Sequence, residues 1–116
     1  MIEGVSFAFA DCRDRLAATG TRIEGALALG GGARSDYWLA VLATTLGIPL
    51  HVPRSGEFGA ALGAARLAQM AATGAGAEIA TPPDIARTIE PQDNLSEAFS
   101  QAHARYQTAY TILKDL

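Results

Sequence analysis

The sequence predicts an α/β fold with parallel strand pairing. Two short apolar runs, residues 23 to 29 and 48 to 52, flank a stretch of helical period, and Gly30-Gly31-Gly32 lies where the first run hands over to that helix. A strand, helix, strand crossover joins parallel neighbours, so the two runs should lie side by side in one sheet. The full expected order is helix, strand, helix, strand, helix, loop, helix.

Residues 3 to 19 place Val5, Phe9, Cys12 and Leu16 at steps of four and three, with Arg13, Asp14 and Arg15 between them, and predict an amphipathic helix ended by Gly20. Cys12, on that apolar face, is expected in the core. Met1 runs straight into the helical pattern without a capping residue, which suggests a piece of a longer chain. Ser35 is the expected N-cap of the second helix, whose face carries Trp38, Val41, Leu42, Thr45 and Leu46 until Gly47 stops it. Pro49 and Pro53 bracket the second strand and point to an edge position.

Ser55-Gly56 opens a third helix from Glu57 to about Thr73, rich in Gly and Ala. Gly59 and Gly63 stand one turn apart there, so close packing beside the glycine loop or its strand is expected, with Gly63 at the contact with the loop. Residues 74 to 93 hold Pro82, Pro83 and Pro91 without a sustained period and read as a surface loop. Asn94 and Glu97 have capping-box spacing, and Leu95, Phe99, Ala102, Tyr106, Ala109 and Leu113 trace one face of a final helix over 94 to 115.

The chain's 116 residues fit a single domain, and 49% hydrophobic with 18% charged residues is enough to build a core. Net charge is −3 and the nine basic residues are scattered, which argues against nucleic acid as a partner. No apolar run reaches the roughly 18 residues that span a bilayer, so no membrane association is expected. Cys12 is the only cysteine, which excludes an intrachain disulfide and fits a reducing compartment, the cytoplasm.

Chemistry concentrates at Gly30, Gly31, Gly32 and Ala33. Glycines at a strand-to-helix junction permit positive φ and close approach of a ligand, and the N-terminus of the following helix favours an anion. A tight turn joining strand to helix is the plain alternative. A Walker A loop is excluded, because no lysine precedes Lys114. A dinucleotide fingerprint is incomplete: Gly30 and Gly32 fit, Ser35 stands at the sixth place, and no acid follows the second strand, although Arg54 could face a 2′-phosphate. Asp36 is the acid next to the loop and a candidate for the nucleotide site, while as a first-turn acid it also suits the helix dipole. Tyr37 and Trp38 read as packing residues that could border an adenine. His51 and His103 lack partners at metal-ligand spacing and read as surface or structural. No nucleophile, base and orienter set can be assembled, and no metal site is expected.

The run from Leu29 through Gly30-Gly31-Gly32-Ala33-Arg34-Ser35-Asp36-Tyr37 to Trp38, then Leu46-Gly47-Ile48-Pro49, then Glu57 to Ala68 with its Ala-Leu-Gly-Ala-Ala core, resembles the FGGY carbohydrate kinases. Glu3-Gly4-Val5 and Phe7-Ala8 add to the likeness, which covers about Glu3 to Met70. Beyond that it is one of pattern only. The resemblance implies the C-terminal part of an actin-like ATPase, built of two ribonuclease-H-like domains with sugar and ATP meeting between them. It places Gly31, Gly32 and Ala33 against the adenosine and α-phosphate of ATP, with Gly30 shaping the turn. Asp36 and Tyr37 occupy the positions of an asparagine pair that reaches the adenine in the family. The catalytic aspartate belongs to a segment before Met1. The implied activity is phosphorylation of a ketopentose by ATP with Mg2+, the chain working with the remainder of its own kinase and inactive alone. The alternative is a non-catalytic nucleotide- or partner-binding α/β module with a Rossmann-like glycine turn.

Overall fold

The computed structural model describes residues 1–55 and 59–114. Helix α1 (Ile2–Ala18) leads into strand β1 (Ala26–Leu27), a 3-10 turn (Gly31–Arg34) and helix α2 (Asp36–Leu46). Strand β2 (Leu50–Pro53), helix α3 (Gly59–Thr73), a second 3-10 turn (Ala77–Ile79), strand β3 (Ile85–Ile89) and helix α4 (Asp93–Leu113) follow. The expected mixed α/β class holds. The expected parallel pair also forms, with Ala26 opposite Leu50 and Leu27 opposite His51.

The stretch 74 to 93 is not a plain loop, because β3 lies within it and pairs antiparallel with β2, from Leu50 opposite Ile89 to Pro53 opposite Ile85. Pro82, Pro83 and Pro91 flank this strand without interrupting it, so none removes a donor from its ladder. β2 is consequently the middle strand of the order β1-β2-β3 and not an edge. Proline lacks only the donor. Pro49 still accepts the Ala26 N–H at 3.1 Å through its carbonyl, and Pro53 sits where the register with β3 becomes irregular.

The core gathers Ala10 of α1, Leu39, Ala43 and Leu46 of α2 and Leu50 of β2, with Ile89 of β3 packed against it. Ala10 and Ala43 have no exposed surface, and side chains this small let two helices approach closely. α1 is turned away from its expected face: Ser6, Phe7 and Ala10 are buried, Cys12 is exposed, and Phe9 and Leu16 are each 50% exposed. Arg13 explains part of this orientation, since its guanidinium donates to the Leu46 carbonyl and, at 3.5 Å, to that of Thr45. A cation there meets the negative end of α2. Gly47, at φ 63°, closes that end with its N–H on the Ala43 carbonyl at 2.8 Å.

α3 buries no side chain among the described residues, and a Cβ on Gly63 would meet nothing within 4 Å. The close approach to the glycine loop is made by Gly59, whose added Cβ would stand 2.8 Å from Leu29 Cδ1. The packing expected of Gly63 therefore belongs one turn earlier. Glu57, the expected first-turn acid of this helix, and residue 115 of the final helix lie outside the described residues.

α4 begins at Asp93 after Gln92, so the Asn94–Glu97 capping box does not form. The reason is tertiary. The Gln92 N–H donates to Thr44 Oγ1 of α2 at 3.0 Å, which satisfies that donor and starts the helix before Asn94. Further along, Phe7 packs among Phe99, His103 and Tyr106 with ring centroids 6.4, 5.6 and 5.7 Å away. Asp11 Oδ1 accepts from His103 Nε2 at 2.8 Å and from Gln107 Nε2 at 2.6 Å. A carboxylate only accepts, so Nε2 of His103 carries the proton. His103 is structural, as expected.

Partial burial raises the Asp11 pKa, and the bonds from Gln107 and His103 together with the charges of His103 and Arg15 more than reverse this, leaving it below the ordinary value. A lowered folded-state pKa gives stability that is present above the usual aspartate value of about 3.9 and lost as pH falls through the folded value. Asp11→Asn should therefore cost about 1 kcal/mol at neutral pH, discounted for its exposure, and nothing in strong acid. Thermal unfolding of both proteins across that pH range checks it.

Candidate functional site

The glycine loop sits at the carboxyl ends of the parallel strands β1 and β2, the position where open α/β sheets bind ligands. Gly30 has φ 83° and ψ −172°, a region essentially closed to other residues. The chain then folds into one 3-10 turn, with the Ala33 N–H on the Gly30 carbonyl and the Ser35 N–H on the Gly32 carbonyl, both at 3.1 Å. Ser35 caps α2 as expected, its Oγ accepting the Trp38 N–H at 3.2 Å.

The three glycines are there for different reasons. Only Gly30 among them has positive φ. Among the described residues a Cβ on Gly31 would meet nothing within 4 Å, and one on Gly32 would make an ordinary contact 3.9 Å from Trp38 Nε1. Among the described residues nothing requires glycine at 31 or 32. Open space there is what a ligand approaching the backbone needs.

A cleft of about 320 Å³ borders this turn, lined by Gly30 and Ala33 from the loop, Arg34 beyond it, Arg54 after β2 and Arg87 of β3. Three guanidinium groups suit a polyanion such as a nucleotide's phosphates. Arg87 was not visible as a site residue in the sequence, because β3 itself was not. Its Nη2 donates to the Ala33 carbonyl at 3.1 Å and pairs with Asp36 Oδ1 at 2.8 Å. The structure thus places Gly30, Gly31, Gly32 and Ala33 at the turn and Asp36 at the start of α2, with the Asp36 carboxylate paired to Arg87. The β-branched residues Ile85, Thr88 and Ile89 were the signal that could have revealed the strand.

Trp38 faces a second, more apolar cleft of about 300 Å³ with Phe9, Leu29, Gly32, Ala33 and Leu42, while Tyr37 is exposed. Both clefts therefore share Ala33. His51 Nδ1 is 2.9 Å from Thr88 Oγ1, a pairing across β2 and β3. Among the described residues no group of three or more His, Cys, Asp or Glu could hold a metal, and no helix is long and apolar enough to cross a membrane.

Gly30→Ala should cost on the order of 1 to 3 kcal/mol, because alanine is strained at that φ and ψ. Gly31→Ala should leave stability within about 0.5 kcal/mol of the original. Chemical denaturation of the two variants checks whether the requirement for glycine divides between these neighbours.

Residues 1–72 match the C-terminal domain of the FGGY family of carbohydrate kinases. The xylulose kinase of Escherichia coli (strain K12) is 41% identical over 107 residues, 92% of this chain and 21% of that protein. The xylulose kinase of Klebsiella pneumoniae is 44% identical over 71 residues, 61% of this chain and 14% of that one. The crystal structure of a "xyloylose kinase" from Brucella ovis superposes with a TM-score of 0.86 at 49% identity, covering 98% of this chain and 24% of that one. A xylulose kinase from Rhodospirillum rubrum shares the fold, with a TM-score of 0.75 at 23% identity and the same coverage of each chain. The chain spans no more than about a quarter of the length of these relatives, and the likeness continues past the stretch 3 to 70 that carries the motifs. With the match to the family's C-terminal domain covering residues 1–72 of 116, and the glycine loop and its flanking helices inside it, this chain belongs to the FGGY family of carbohydrate kinases.

Proposed function

We propose that this chain is the ATP-binding part of a carbohydrate kinase of actin-like ATPase fold that converts D-xylulose to D-xylulose 5-phosphate. The supporting observation is the pair Gly31 and Gly32, where the fold leaves open space and would accept a side chain. A bound nucleotide supplies the missing reason for glycine. Gly31, Gly32 and Ala33 hold the α-phosphate and adenosine, Gly30 sets the turn, and Asp36 borders the site. The arginine-lined cleft offers the charge that the phosphates require.

In this reading the sugar hydroxyl oxygen bonds to the γ-phosphorus as the bond to the bridging oxygen breaks, and ADP leaves. The hydroxyl proton passes to a carboxylate from the remainder of the kinase. Mg2+ bound with the nucleotide would supply positive charge against the charge that develops on the phosphoryl oxygens. This chain's own residues contribute position: they hold the far end of ATP so that the γ-phosphoryl group is in line with the sugar. The sugar, ATP and the rest of the kinase chain are its partners, and a single exposed cysteine, Cys12, suits a cytoplasmic setting.

In the intact kinase, Gly32→Val should raise the KM for ATP about tenfold or more while leaving the KM for xylulose and the melting temperature near those of the original protein. Steady-state kinetics varying each substrate, with a thermal melt beside them, read this directly. Equal increases in both constants would instead assign Gly32 to the turn alone. The 116-residue chain by itself should phosphorylate no xylulose, and turnover by the purified chain would overturn the reading.

A further inference from the structure

We propose that Arg87 is a positioning residue for the nucleotide loop, a role that rests on the kinase reading above. One nitrogen, Nη2, joins two points of the loop: it donates to the Ala33 carbonyl at 3.1 Å and to Asp36 Oδ1 at 2.8 Å. The loop is thereby tied to β3, a strand 54 residues further along the chain. The first contact fixes where the turn ends and α2 begins. The second pairs the carboxylate of Asp36, the acid next to the loop in the sequence.

That second effect has a chemical consequence. Asp36 is 70% exposed and lies in the first turn of α2, the end of the helix that would favour an anion. Unpaired, its negative charge would oppose a nucleotide triphosphate at that end. Paired with Arg87, it becomes a handle that holds the loop. The Arg87 side chain is itself 41% exposed, and exposed ion pairs contribute little to stability. A merely structural role therefore predicts a small and general effect, whereas positioning predicts a local one that falls on ATP.

The test uses the full-length protein carrying Arg87→Met, Arg87→Lys, Asp36→Asn and the double variant Arg87→Met with Asp36→Asn. Arg87→Met should raise the KM for ATP about five- to tenfold, with the KM for xylulose and kcat little changed. Arg87→Lys should recover most of the loss, because one nitrogen makes both contacts and an ammonium can make them too. The double variant should bind ATP better than Arg87→Met alone, since it removes the uncompensated charge. Hydrogen exchange without nucleotide supplies a second readout: residues 31 to 36 should exchange about tenfold faster in Arg87→Met, with α1 and α4 unchanged.

Unchanged exchange in the loop would overturn the proposal, as would a double variant no better than Arg87→Met or an equal rise in both KM values. Failure of the kinase reading looks different. The loop would still loosen in Arg87→Met, but ATP would protect it in neither protein, and no substrate constant would respond.

Discussion

Helix α2 has to be buried for the site to exist, because its N-terminus is the end of the glycine loop. Leu39 is 1% exposed and Ala43 not at all, and burying a leucine of this kind is worth roughly 1.5 to 3 kcal/mol. Each neighbour is fastened to the same helix. α1 reaches it through Ala10 and the guanidinium of Arg13, the sheet through Leu50, and the start of α4 through the Thr44 hydroxyl. Thr44 illustrates the economy of the arrangement: its Oγ1 donates to the Ala40 carbonyl at 2.7 Å and accepts the Gln92 N–H, so a buried hydroxyl is satisfied while joining two elements.

The site is consequently assembled from three separate stretches of the described chain, the glycine loop, the end of β2 and β3. β1 and β2 set the loop's place by two backbone bonds, from Ala26 to Pro49 and from Ala28 to His51, the latter at 2.9 Å. β3 then adds Arg87 from the outer side. Since β3 pairs with β2 and never with β1, the arginine reaches the loop over the carboxyl end of the middle strand. The irregularity at Val52 and Pro53 lies beside that crossing, and the Arg54 N–H bonds the Asp84 carbonyl there at 2.9 Å.

What could be read in the sequence was local and strongly patterned. The Ser35 cap, the left-handed Gly47, the parallel pairing and the glycine turn all depend on contacts within a few residues or on a crossover rule. What escaped depended on distant partners. α1 carries more apolar positions than it buries, so periodicity alone could not tell Phe7 from Phe9. Ile85 to Ile89 is rich in β-branched residues but has no apolar alternation, four of its five residues are exposed and prolines stand close on either side. The helix start at Asp93 was decided by Thr44, 48 residues away. Gly59 and Gly63 are indistinguishable as letters, and only the course of Leu29 makes one of them a contact.

The division of labour among three adjacent glycines also bears on how such a chain can change over generations. Gly30 answers to the backbone, since its φ of 83° is inherited with the fold whatever the protein does. Gly31 and Gly32 are free to answer to whatever comes to the loop, because among the described residues nothing crowds the space beside them, Trp38 making only an ordinary contact at 32. A descendant whose loop met no ligand would be released at the second pair while still held at the first. Drift at 31 and 32 beside an unchanged Gly30 would then mark a loop that has lost a ligand in a protein that still folds.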